Sequence, residues 1–284
     1  MTEQDGDDPA RSPRGVLRDL GRSFPVSDVA LWAAGASFFA LLGVVPITLI
    51  GLRVAAALIG PDAVAAGMAT AIGGLPGGHG TPSALRTLTA TALNLSWLQT
   101  VVALFPASLY GEGLRRAFLQ LSPRRSERLT GWRGRVGVLP VVALAPLLVL
   151  AVLASAPVAA PLYAAGGRSL LLGVLIAFHV VWIGVSVALV LVYRLVAAGR
   201  VGLRALLWGG FGTGSFLAGF LQGFLLFLAI PVEWSLPFGG LPVFGAVAAL
   251  ALWLYLVHVL VLVGYRLTLV LDGRSAGRDR PAAA

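Results

Sequence analysis

Polar and apolar positions along this chain fall into long blocks instead of a short-period alternation. Six apolar blocks can be read, at residues 29–52, 84–110, 136–160, 169–192, 205–230 and 243–270. A helix needs about 20 mostly apolar residues to cross about 30 Å of hydrocarbon. The pattern therefore predicts an all-α, polytopic membrane protein with six transmembrane helices. Pro46 should kink the first span, and Pro140, Pro146 and Pro157 interrupt the third. Asp28 is placed to cap the first helix, where a carboxylate suits the free amides and the dipole. Residues 53–83 break the rhythm with short apolar runs among many glycines and prolines. They predict an extracytoplasmic loop with one short helix at 63–72, lying in the interface or re-entering it. The expected division is a polar and basic N-terminal segment at 1–27, a six-helix transmembrane domain at 28–272, and a disordered tail at 273–284.

Composition agrees. The chain is 58% hydrophobic and 12% charged, with a mean hydropathy of +0.89. Soluble domains run at about 45–50% apolar and about 25% charged, so a water-soluble fold is excluded. Every one of the 21 basic residues is arginine, and their distribution alternates from one inter-span segment to the next. Eighteen fall on one face of the predicted topology, seven of them after span two; Arg53, Arg86 and Arg168 fall on the other. Cytoplasmic loops retain Lys and Arg, which predicts a multi-pass plasma (inner) membrane protein with both termini cytoplasmic. The net charge of +9 then reads as topology and lipid attraction, and no nucleic-acid partner is expected. The absence of cysteine excludes disulfides and thiolate chemistry.

Three groups of residues stand out. Thr87, Thr91 and Asn94 share a helical face, and Gln99 follows in the same span. With His179 of span four and His258 of span six, they are the candidate lining of a polar cavity, since polar groups in lipid either find partners or serve a pathway. Neither intramembrane histidine has metal-ligand spacing, and the plainer reading of each is a neutral ring bonded to a hydroxyl or carbonyl. Gly210 and Gly214, then Gly219 and Gly223, form small-xxx-small pairs that predict close helix packing in span five. Arg115, Arg116, Arg124, Arg125 and Arg128 form a dense cationic loop suited to anionic lipid headgroups. Glu112 precedes Arg116 by four residues, the spacing of a helix-surface ion pair. Clustered metal-binding histidines and carboxylates, which a metal-dependent hydrolase needs, are missing from the sequence. No catalytic residue, metal or cofactor is expected.

Four stretches carry a family resemblance: ALWAAGASFFALLGVVPITLIG in span one, LFPASLYGEGLRRAFLQL leaving span two, RALLWGGFGTGSFLAGFLQGFLLFLA in span five and FGGLPVFGAVAALALWLYLVHVLVLVGYRL in span six. Over residues 28–272 the chain resembles the YihY/BrkB family of inner-membrane proteins, once labelled ribonuclease BN. It departs from that family in its Ala/Gly-rich segment at 60–80, and in Gly264–Tyr265 where the family pattern has a small–acidic pair. The resemblance implies six transmembrane helices and a role in cell-envelope integrity. Combined with the residues above, it leads to two expectations. One is transport or scrambling of a lipid or hydrophobic anionic solute. The other is a non-transporting scaffold that packs against partner membrane proteins or a second copy of itself.

Overall fold

The computed structural model describes residues 26–73, 81–122, 131–197, 201–229 and 235–278. These are helical nearly throughout, with no strand among them. In chain order the helices are α1 Val26–Ile59, α2 Pro61–Gly73, α3 Thr81–Asn94, α4 Trp97–Leu121, α5 Gly131–Val142, α6 Ala145–Ala165, α7 Gly167–Leu191, α8 Leu203–Ala229 and α9 Pro242–Arg278. A π-helical turn, Val192–Val196, extends α7, and a single 3-10 turn, Leu236–Phe238, precedes α9.

Four segments are long and apolar enough to cross a membrane: Asp28–Ile59, Trp132–Ala165, Gly167–Val196 and Pro242–Gly273. They correspond to expected spans one, three, four and six. The protein is thus a helical membrane protein. Its surface bears this out, with Leu31, Phe38, Leu98, Phe105, Trp208 and Phe216 all exposed, as lipid-facing residues are.

Local chemistry explains where the helices stop. α1 has 34 residues and at 1.5 Å per residue is about 51 Å long, well beyond the bilayer core. It ends at Gly60, whose φ of +93° is open to glycine at little cost, and Pro61 starts α2, where its missing N–H costs nothing. The expected short helix is therefore longer than 63–72 and begins directly at the end of α1. Between α5 and α6 the cause is Pro146. It has no N–H for the Val142 carbonyl, and its ring crowds that carbonyl, so the chain jogs at residues 143 and 144. Gly51 of α1 fits into this jog, where an added Cβ would stand 3.1 Å from the Ala145 Cβ.

One expectation needs correction. Span two, read as one helix over 84–110, is two helices broken at Leu95–Ser96. Ser96 caps α4: its Oγ accepts from the Gln99 amide at 3.2 Å, while the Gln99 side chain accepts from the Ser96 amide at 2.8 Å. This reciprocal cap fixes the start of α4, so polarity read as a continuous helical face is in part the chemistry of a break. α9 runs on to Arg278, while its stretch apolar enough to cross a membrane ends at Gly273.

α1 is the hub, packing on α2, α3, α4, α6 and α9. α6, α7, α8 and α9 follow one another around a ring that α9 closes against α1, and α4 with α5 covers α1 near one end. Two cores result. The larger includes Leu114, Phe118, Val138, Tyr193, Leu206, Leu262 and Tyr265. The smaller, Leu52, Ala55, Ala56, Val64, Ala92 and Leu153, joins α2 and α3 to the last part of α1 and the middle of α6.

Candidate functional site

The larger core lies under an arginine-rich end of the molecule. There α4 and α5 cross at Gly111 and Gly134, so closely that a Cβ on either would collide with the other's carbonyl oxygen. This approach brings Arg135 of α5 to Glu112 of α4. Glu112 accepts from Arg116 at 2.5 Å and from Arg135 Nε at 2.7 Å. Sequence spacing anticipates the first bond; the second needs the crossing. Glu112 lies just past the expected end of span two. Its two oxygens are thus each paired with a guanidinium, which offsets the cost of taking a carboxylate out of water.

Other arginines here hold carbonyls, two at helix ends and one in the loop before α8. Arg115, only 5% exposed, donates from Nη1 to the Val196 carbonyl at 2.8 Å. Arg266 donates to the Leu121 carbonyl at 2.7 Å, and Arg194 to the Val201 carbonyl at 3.3 Å. Val196 ends the π turn and Leu121 ends α4, and terminal carbonyls lack intrahelical donors. A cation there satisfies the carbonyl and suits the negative end of the dipole. Asp272 does the opposite task, accepting from the Gly202 amide at 2.8 Å beside the start of α8. Below these bonds Phe118, Tyr193 and Tyr265 pack edge on and tilted, with centroids 4.6 to 5.8 Å apart. Tyr193 donates to the Val261 carbonyl at 2.8 Å. Tyr265, where the resemblance led one to expect an acidic residue, is a member of this aromatic cluster.

Sequence reasoning missed the carbonyl anchors. Arg115, expected at the lipid headgroups together with Arg116, is turned inward; Arg116 is half-exposed while it holds Glu112. Arg124, Arg125 and Arg128 lie outside the described residues. The legible signal was position, since basic residues in last turns suit terminal carbonyls, but the partners are 81 and 145 residues away in the chain.

The six expected cavity residues do not share one cavity. His258 is 1% exposed and sits between α1 and α4. Its Nδ1 is 2.7 Å from the Leu254 carbonyl and 3.3 Å from Ser37 Oγ; its Nε2 is 3.1 Å from the Tyr110 hydroxyl. A carbonyl only accepts, so Nδ1 carries the proton and Nε2 accepts from Tyr110. His179 is exposed halfway along α7, with Nδ1 2.8 Å from its own helix's Leu175 carbonyl. The remaining four stay together. Thr87, Thr91, Asn94 and Gln99, with Ala90 and Leu95, line an open concavity of about 530 Å³ at the α3–α4 break. Arg53 reaches this break from α1, donating to the Leu95 carbonyl at 2.7 Å, and its guanidinium lies 4.6 Å from the Trp97 ring centroid. That is the same carbonyl anchoring used at the other end, here beside an aromatic.

The glycines of α8 divide. Gly210 sits against Val190 and Gly214 against Ser186, both on α7. Gly209 meets Thr268 of α9, and Thr213 of α8 meets Gly264 of α9. Gly219 and Gly223, expected on the same seam, have nothing within 4 Å of where a Cβ would stand. Among the described residues, close glycine contact is thus confined to the arginine-rich half of α8, whereas further along it Phe220 stacks on Trp253 of α9 at 3.8 Å. Among the described residues no group of three or more His, Asp and Glu is arranged to hold a metal.

A family model described as "Virulence factor BrkB" matches residues 22–284. No curated protein and no solved structure matches the chain.

Proposed function

The chain belongs to the BrkB virulence-factor family, and from that premise we propose that it is a six-span inner-membrane protein that supports the cell envelope by moving or scrambling a lipid or a hydrophobic anionic solute. The observation that carries this reading is the α3–α4 break. Its concavity offers Thr87, Thr91, Asn94 and Gln99 to the outside. Directly below, α4 turns Leu98, Val101, Val102 and Phe105 outward, all exposed. A polar recess above an apolar stripe has the shape of an amphiphile, headgroup above and chain below. In this reading α4 and α8 complete the six crossings. The arginine-rich end faces the cytoplasm, as the positive-inside rule requires, and both termini lie there.

The test is reconstitution of the purified protein into vesicles with a trace of fluorescent lipid. Lipid should become accessible to an external quencher faster than in empty vesicles, and Asn94→Leu with Gln99→Leu should slow it. No movement above empty vesicles across several lipid compositions would sink the reading.

A second reading, a scaffold that binds another membrane protein or a second copy, is favoured by His179. It lies exposed on an apolar face with Leu175 and Ile183 one turn to either side, and an imidazole left against lipid is costly. The chain has no cysteine, so His179→Cys introduces a single thiol. Thiol cross-linking in membranes should then trap a covalent adduct; its absence in native membranes would oppose the scaffold.

A further inference from the structure

The arginines described so far are occupied with carbonyls or with Glu112. Arg204 differs. It is exposed, in the first turn of α8, and makes no hydrogen bond or ion pair with the described residues. The neighbouring Gly202 amide is held by Asp272, which fixes this turn at the level of the arginine-rich end. Arg204, Leu207, Trp208 and Phe211 follow the i, i+3, i+4, i+7 spacing of one helix face and together line a concavity of about 330 Å³. Trp208 is 69% exposed. The floor is held by α7: Trp182 Nε1 donates to the Phe211 carbonyl at 3.1 Å, and the two rings meet edge to face at 5.9 Å.

We propose that this face of α8 binds one anionic phospholipid, with Arg204 on its phosphate and Leu207, Trp208 and Phe211 along the start of an acyl chain. From Arg204 to Phe211 the helix descends about 10 Å, so the cation stands at the membrane boundary and the apolar residues inside it. That is the order of groups in a phospholipid. The surface lining the concavity is all hydrocarbon and ring carbon, which a free phosphate cannot use, and the Arg204 guanidinium stands at its rim. The charge selects an anionic headgroup over a zwitterionic one, and an indole at the boundary suits the headgroup region. The site does not depend on the protein moving lipid, and it lies on α8, not at the α3–α4 break.

The full chain in phosphatidylcholine nanodiscs tests it. Phosphatidylglycerol with brominated chains, at low mole fraction, should quench tryptophan emission more than brominated phosphatidylcholine at the same fraction. Trp208→Phe should remove most of that excess, although six other tryptophans remain. Arg204→Gln should lower the preference for the anionic lipid about five-fold, and Arg204→Lys should retain most of it. Excess inorganic phosphate at constant ionic strength should change nothing. Equal quenching by the two lipids in the unmodified protein would overturn the proposal, as would an excess that survives Trp208→Phe or Arg204→Gln. So would an excess abolished by inorganic phosphate, which would reveal an anion site with no role for the chain.

Discussion

The two ends of the molecule solve the same problem with different strength. Each must close helix ends near a membrane boundary, and each sends arginine to a carbonyl. At the arginine-rich end Arg115, Arg194 and Arg266 hold three such carbonyls, while Glu112 ties Arg116 to Arg135 of the neighbouring helix. All of this rests on the larger core. At the opposite end Arg53 alone holds Leu95, over a satellite core of small residues in which Ala55, Ala56 and Ala92 are half of the buried members. The contrast teaches that the charge bias serves packing as well as orientation. The densely bonded end acts as the rigid base, and the end with the broken helix and open concavity is left looser.

The largest effect should come from the crossing under the base. Gly111→Val adds bulk where a Cβ already strikes the Gly134 carbonyl and Val138. Overpacking of this kind costs about 1–3 kcal/mol, and backbone contact puts this site at or above the upper limit. Thermal unfolding in detergent should show a marked drop; an unchanged midpoint would mean that the base is not tightly packed.

Next come the two anchors compared directly. Arg115→Leu strands the Val196 carbonyl in the core and should cost about 1.5–3 kcal/mol, the range for a hydrogen bond to a charged group. Arg53→Leu acts at a half-buried break and should cost about 1 kcal/mol, as for an ordinary hydrogen bond. Equal losses would erase the difference between the ends. Within α8, Gly214→Ala must displace Ser186, whereas Gly219→Ala meets open space and should be neutral or stabilise by about 0.5–1 kcal/mol through helix propensity. The same midpoint assay separates them.

The smallest effect is the loss of the ion pair. Glu112→Gln keeps the shape and removes the charge that holds Arg116 and Arg135; both arginines reach solvent, so it should cost about 1 kcal/mol or less. An unchanged midpoint in the same assay would show that Glu112 acts by shape and not by charge.

Spans one, three, four and six were legible because each is a long apolar run with polar ends, and hydrocarbon thickness leaves such a run little choice. The break at Leu95–Ser96 was written in the sequence too. Ser96-x-x-Gln99 is a capping-box pattern, but apolar residues on both sides mask it, since the window is long enough for one continuous span. Pro146 likewise marked the α5–α6 jog. The site was harder to read. That Arg115 turns inward depends on Val196 arriving from 81 residues away, and that His258 meets Tyr110 and Ser37 depends on how α9 closes the ring. Gly210 and Gly223 look alike in sequence; only the converging path of α7 gives one a neighbour and leaves the other without. Local pattern carries helix ends and spans, whereas partners are set by tertiary geometry that no local window contains.

The bond from Arg266 to the Leu121 carbonyl has a consequence for biogenesis. The ribosome releases α4 long before it has made α9, so a nascent chain carries the end of α4 unsealed through most of its synthesis. The base can close only when the last helix enters the bilayer, which makes α9 the keystone of assembly. A chain stopped before residue 266 would lack the donor that this carbonyl receives in the folded protein.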